Sequence, residues 1–187
     1  MPIKSITSLD IEGLKVITPQ VFGDSRGYFK EHYVMLEYRE AGIETNFIQD
    51  NVSKSTKSVL RGLHFQINFP QAKLVSVLSG AVYDLALDLR EGSPSFGEHY
   101  GLILSEENHK QFYIPEGFAH GFCVLSDTAI FSYKCSDYYH PNDEGGIYFN
   151  DPKLNILWPD TGENYILSDK DKLWPSLDDY LKNKLHG

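Results

Sequence analysis

The chain has 187 residues, enough to bury one sizeable core, and its 41% hydrophobic and 23% charged residues are ordinary for a soluble globular protein. A formal charge of −9 argues against a duplex nucleic-acid binder, which needs a basic surface to displace counterions. It leaves room for a small anionic ligand, since a few Arg and Lys can cluster locally. No apolar run approaches bilayer-spanning length and the start at Met1 carries no secretory apolar segment, so a cytoplasmic protein without membrane contact is expected.

Gly13 to Thr18 reads as a strand ahead of Pro19, Phe22 to Gly27 as a turn, and Tyr28 to Tyr33 as a second strand. Val34 to Ala41 suits a short helix closed by Gly42. Lys73 to Leu78, the pair Ser79-Gly80 and Ala81 to Leu89 together read as a β-hairpin. In its second arm Tyr83, Leu85, Leu87 and Leu89 share one face, and Val82, Asp84, Ala86 and Asp88 the other. Two acids among small apolar residues suit either a lined cavity or a solvated face.

Tyr100 to Leu104, Gln111 to Ile114, Gly121 to Leu125 and Ala129 to Ser136 add strands, and Leu177 to Leu185 suits a closing helix. No linker, charge block or repeat divides the chain, so residues 1–187 are expected to form a single domain. Strand number and spacing predict an all-β jelly roll or barrel with a few short helices. The 12 Tyr and 11 Phe favour strands and also suit a pocket that stacks flat rings. Cys123 and Cys135 have no metal or redox spacing and read as reduced, buried thiols.

There is no GxGxxG after a strand, no GxxxxGK[ST] and no GxSxG, which removes dinucleotide, P-loop and nucleophile-elbow chemistry from consideration. The densest polar and glycine cluster is Val59 to Gln66. Arg61 and His64 are three apart, so an uninterrupted strand points them to opposite faces. Gly62 permits a bulge that brings both to one cavity. The plainer reading is a half-exposed arginine and a hydrogen-bonded core histidine. In the second cluster, Ile114 to Phe122, a Pro-x-Gly turn leads into His120 on a strand, where a structural histidine is equally open. This turn resembles the second half-motif of cupin barrels. Metal-binding cupins carry an HxH pair upstream, but the comparable position here reads His64-Phe65-Gln66. No bound metal is therefore expected.

The motifs together are more specific than any one. Phe22 to Gly27, Gln49-Asp50-Asn51, Leu60 to Gln66, Lys73-Leu74-Val75, Asp88-Leu89-Arg90, Gly92-Ser93-Pro94 and Phe96-Gly97 form an ordered series. It continues through Ile114 to Phe122, Tyr133-Lys134, Asn150-Asp151-Pro152 and Leu167 to Asp171. From about Gly13 to Asp171 the series resembles the dTDP-4-dehydrorhamnose 3,5-epimerase family. Ala72 replaces the glycine common before Lys-Leu-Val, and Phe149 the frequent Trp; neither removes a functional group.

The resemblance implies a cupin-type jelly-roll barrel that needs no cofactor and inverts C3 and C5 of a dTDP-linked 4-keto-6-deoxyhexose. His64 matches the family's general base and Asp171 the carboxylate that orients it. Lys73 matches the cation beside the ketone oxygen, and Tyr133 the acid on the opposite face. Taken alone, Lys73 reads as a solvated strand start and Tyr133 as a packed barrel aromatic. Arg26 and Arg61 match diphosphate-binding positions. Glu31, Gln49 and Asn51 match nucleotide contacts, and His120, Glu144 and Lys170 further ligand contacts. The family completes its site across a homodimer with exchanged N-terminal strands, so Arg26 and Glu31 are expected in the partner's pocket. Alternatives are an epimerase of C3 or C5 alone, a metal-dependent cupin oxygenase or isomerase, and a non-catalytic sugar-nucleotide-binding module.

Overall fold

The computed structural model describes residues 3–186. The strands in chain order are β1 (Ile3–Ser8), β2 (Lys15–Pro19), β3 (Phe22–Asp24), β4 (Gly27–Phe29), β5 (Gln49–Thr56), β6 (Leu60–Gln66) and β7 (Lys73–Ser79). They continue with β8 (Ala81–Asp88), β9 (His99–Ser105), β10 (Gln111–Ile114), β11 (Phe118–Val124), β12 (Thr128–Cys135) and β13 (Glu144–Gly146). Two helices are present, α1 (Met35–Glu40) and α2 (Leu177–His186). One antiparallel sheet runs β1-β2-β10-β7-β12-β5, the other β13-β6-β11-β8-β9, and β3 pairs β4 as a separate hairpin. This is the expected all-β jelly roll.

The predicted hairpin at Ser79-Gly80 is a misreading. β7 lies between β10 and β12, whereas β8 lies between β11 and β9 in the other sheet. The turn carries the chain from sheet to sheet. Gly80 has φ 78° and an added Cβ would fall 2.1 Å from the Thr128 carbonyl oxygen, so the crossing needs a glycine. A tight turn looks alike in sequence whether its arms pair or part. The expected strand Tyr28 to Tyr33 also stops early, at Phe29, and the strands Ile3–Ser8, Gln49–Thr56 and Glu144–Gly146 carried too little apolar alternation to be read.

Where the sheets face each other, Val75, Val77, Val82, Phe112, Phe122 and Phe131 pack into the main core. The outer face of the six-stranded sheet is closed by Tyr38 of α1, set on Ile17, Ile43 and Leu74. Gly42 ends α1 as expected, with φ 77° and its N–H donating to Arg39 O. The outer face of the five-stranded sheet is closed by Leu154, Ile156 and Leu177 against Leu63, Leu85 and Leu87. Both faces of β8 are therefore covered, and Asp84 and Asp88 are buried. The solvated-face reading of that strand is excluded. Both cysteines are buried and free.

Candidate active site

Cross-strand register assembles one wall. Tyr133 on β12 lies opposite Asn51 on β5 and Val75 on β7, and Cys135 lies opposite Gln49 and Lys73. Alternation points all these side chains the same way, toward the other sheet. On the facing wall, His120 of β11 pairs with His64 of β6, and Phe122 pairs with Arg61. Two steps on β11 thus span three on β6, which is a bulge. Gly62 sits within it at φ 128°, and an added Cβ would meet the Gly121 Cα at 2.5 Å. The bulge turns Arg61 and His64 to one face, and both line a cavity of about 290 Å³ with Lys73, His120, Tyr133 and Glu144. An adjoining cavity of about 200 Å³ is lined by Gln49 and Asn51 and shares Tyr133 and Tyr139 with the first.

His64 Nε2 lies 2.5 Å from Asp171 Oδ1. Ser168 Oγ donates to the other carboxylate oxygen at 2.8 Å, and the Asp171 N–H returns a bond to Ser168 Oγ at 3.1 Å. Burial alone raises a carboxyl pKa, but the hydrogen bonds from His64 and Ser168 outweigh it and hold Asp171 below the usual range. An ionised carboxylate only accepts, so Nε2 carries the proton and the lone pair of the neutral imidazole lies on Nδ1. Lys73 is half-buried rather than solvated. Burial pushes its ammonium below the ordinary lysine value, and the nearby Cys135 and Asp84 offset only part of that. Burial pushes the Tyr133 phenol up, with the Arg61 charge pulling weakly the other way, so the phenol holds its proton at neutral pH.

The other expected residues divide into two groups. Glu144 ion-pairs with Lys170 and accepts a bond from Tyr139 OH at 3.0 Å. Arg61 donates from Nε and Nη2 to Ser55 Oγ at 3.3 and 3.1 Å, leaving the rest of its fork open. His120 Nε2 donates to Asp84 at 2.9 Å, both groups buried, so the structural reading of this histidine holds alongside its place in the cavity wall. Arg26 and Glu31 stand apart. Arg26 is 88% exposed on the β3–β4 hairpin, paired with Asp24, and neither residue lines either cavity.

Tyr139, Phe122, Phe131 and Ser53, none of them expected at the site, also help to form its wall. Phe122 lies at the end of the Ile114–Phe122 motif, and Asp84, which holds His120 Nε2, was legible as an acid inside an apolar strand. A larger cavity, about 540 Å³, opens beyond Lys73, but its Arg90 and Lys184 are already paired with Asp88 and Glu91. It holds neither the His64–Asp171 pair nor Tyr133, so the smaller cavity is the candidate site. Among the described residues no group of three or more His, Cys, Asp or Glu converges as a metal site, and His64 and His120 each give Nε2 to a carboxylate.

The family model for dTDP-4-dehydrorhamnose 3,5-epimerase matches residues 8–179. The chain belongs to that family. It is 49% identical over 172 residues to the dTDP-4-dehydrorhamnose 3,5-epimerase of Methanothermobacter thermautotrophicus, covering 91% of this chain and 92% of the relative. Identity to the Escherichia coli K12 enzyme of that name is 46% over 183 residues, 97% and 98% of the two chains. Among solved structures, the dTDP-6-deoxy-D-glucose-3,5-epimerase of Legionella pneumophila in complex with dTDP-4-keto-L-rhamnose superimposes with a TM-score of 0.90 at 52% identity, covering 93% of each chain. The cupin-type jelly roll of this epimerase family thus agrees with the sheet order seen here.

Proposed function

We propose that this epimerase converts dTDP-4-dehydro-6-deoxy-D-glucose to dTDP-4-dehydro-L-rhamnose without a cofactor, using His64 as base and Tyr133 as acid. The observation that carries the assignment is that these two side chains enter one cavity from opposed sheets. Inversion needs a donor and an acceptor on opposite faces of the planar intermediate, because one group working alone tends to return the proton to the face it left. Nδ1 of His64 takes the proton from the carbon beside the ketone, and Asp171 stabilises the imidazolium that forms. Lys73 stabilises the enolate oxygen, an interaction stronger in a half-buried site than in water. Tyr133, kept neutral by burial, then protonates the other face.

Arg61 suits the diphosphate, and the amides of Gln49 and Asn51 suit the thymine edges. His120, Glu144 and Lys170 complete the sugar-nucleotide contacts. Arg26 and Glu31 serve a second copy of the chain, in a homodimer that exchanges its N-terminal strands. The hairpin that carries Arg26 exposes Phe22, Tyr28 and Phe29, which supports a protein-covered face there. Residues 1–187 act as one domain, and the soluble substrate makes the cytoplasm the place of action. Among the described residues no helix is long and apolar enough to cross a membrane.

The decisive experiment follows solvent deuterium into substrate by NMR. Label entering both C3 and C5 is expected, and His64→Ala should abolish both. Label at one carbon alone assigns a mono-epimerase, and label at neither removes the proposal.

A further inference from the structure

The segment that supplies Asp171 also returns to His64 three residues later, with Trp174. The Trp174 and His64 rings lie 6.0 Å apart between centroids at an interplanar angle of 66°, an edge-to-face contact. Behind the indole is Gly146 on β13, the register partner of His64. A Cβ there would fall 2.3 Å from Trp174 Cδ2 and 2.4 Å from Cε2, so this glycine is the seat of the ring. Next along the chain, Pro175 O accepts the Tyr148 N–H at 2.8 Å and pins the segment to the end of β13. Lys170 Nζ lies 5.5 Å from the ring centroid while pairing with Glu144 of the cavity wall.

We propose that Trp174 is a positioning residue that fixes the plane of the His64 imidazole. The inference rests on His64 being the base. A single hydrogen bond to Asp171 sets where Nε2 lies but leaves the ring free to turn about that bond, and histidine χ2 has broad minima. Turning swings Nδ1, the atom that must face the substrate carbon. The indole, wedged between imidazole and Gly146, removes that freedom. Its N–H is buried and has no acceptor among the described residues.

Trp174→Leu, Trp174→Phe, Gly146→Ala and His64→Ala are compared by kcat, KM, dTDP affinity and thermal midpoint. Trp174→Leu should lower kcat by roughly 10- to 100-fold, the scale of a displaced catalytic group, with KM and dTDP affinity within about twofold. Trp174→Phe, which keeps a flat ring, should recover most of kcat. Gly146→Ala, which pushes the ring from behind, should lower kcat with Trp174 in place. Wild-type kcat in Trp174→Leu overturns the proposal, as does a loss that tracks the thermal midpoint and is not recovered by Phe. If His64→Ala itself stays active, it is the assignment of the base that fails.

Discussion

His64 shows how neighbours decide a proton's position. Because Asp171 is ionised and Nε2 faces it, the basic lone pair is left on Nδ1. Asp171→Asn removes the counter-charge for the imidazolium at almost constant volume, and kcat is expected to fall about 10²–10⁴-fold with KM little changed. Tyr133→Phe should instead uncouple the half-reactions, leaving some deuterium exchange while product formation drops. The alkaline limb of activity is expected to report Lys73. Its depressed pKa means the ammonium is lost as pH rises through a value below the ordinary 10.5. Lys73→Arg, which stays charged, should carry that limb to higher pH even if it lowers the maximum rate. An unmoved limb would assign it to another group.

At the scale of elements, the bulge in β6 is what puts Arg61 and His64 on one face. Gly62→Ala adds a Cβ against the Gly121 Cα and forces a non-glycine residue to φ 128°. A loss of at least about 2 kcal/mol in denaturant unfolding is expected, together with loss of exchange activity. Unchanged stability would mean that β6 and β11 pair without needing this glycine. This element was legible because a glycine between Arg61 and His64 permits a bulge. The β7–β8 connection was not, because a Ser-Gly turn between two apolar arms is compatible with pairing or with crossing. The arms are apolar on both faces only because each is also covered from outside, by Tyr38 of α1 and by Leu154, Ile156 and Leu177.

Across the whole molecule the core and the polar cavity share the space between the sheets and meet at Phe122 and Phe131, which belong to both. Phe112 is fully buried in that core, and Phe112→Ala should cost about 3–5 kcal/mol in equilibrium unfolding. Acid should act through three buried, depressed carboxyls, Asp88, Asp171 and Asp143, the last held by bonds from Asn68 and Phe69 that outweigh its burial. In Asp88, burial works against ionisation but bonds from Arg90, Ser93 and Ser95 prevail, and Asp171 behaves likewise. Groups whose folded pKa is lowered stabilise the fold above the unfolded value and lose that contribution as pH falls through the folded one. Midpoints should therefore decline below the ordinary aspartate value of 3.8, and Asp88→Asn should flatten that decline.

The sequence by itself determined the kind of structure and the kind of chemistry. Period-two runs between turn residues are local, and they gave the β-class. The ordered motifs pointed to the family and, through it, to His64, Lys73, Tyr133 and Asp171 as the groups proposed to react. Only the tertiary structure decided which strands are neighbours, that Asp84 and Asp88 are buried, and that Trp174 reaches His64. Those relations join residues far apart in the chain, and they depend on which sheet each strand enters. Local pattern carries no information about that choice, because a strand's alternation is the same beside any partner.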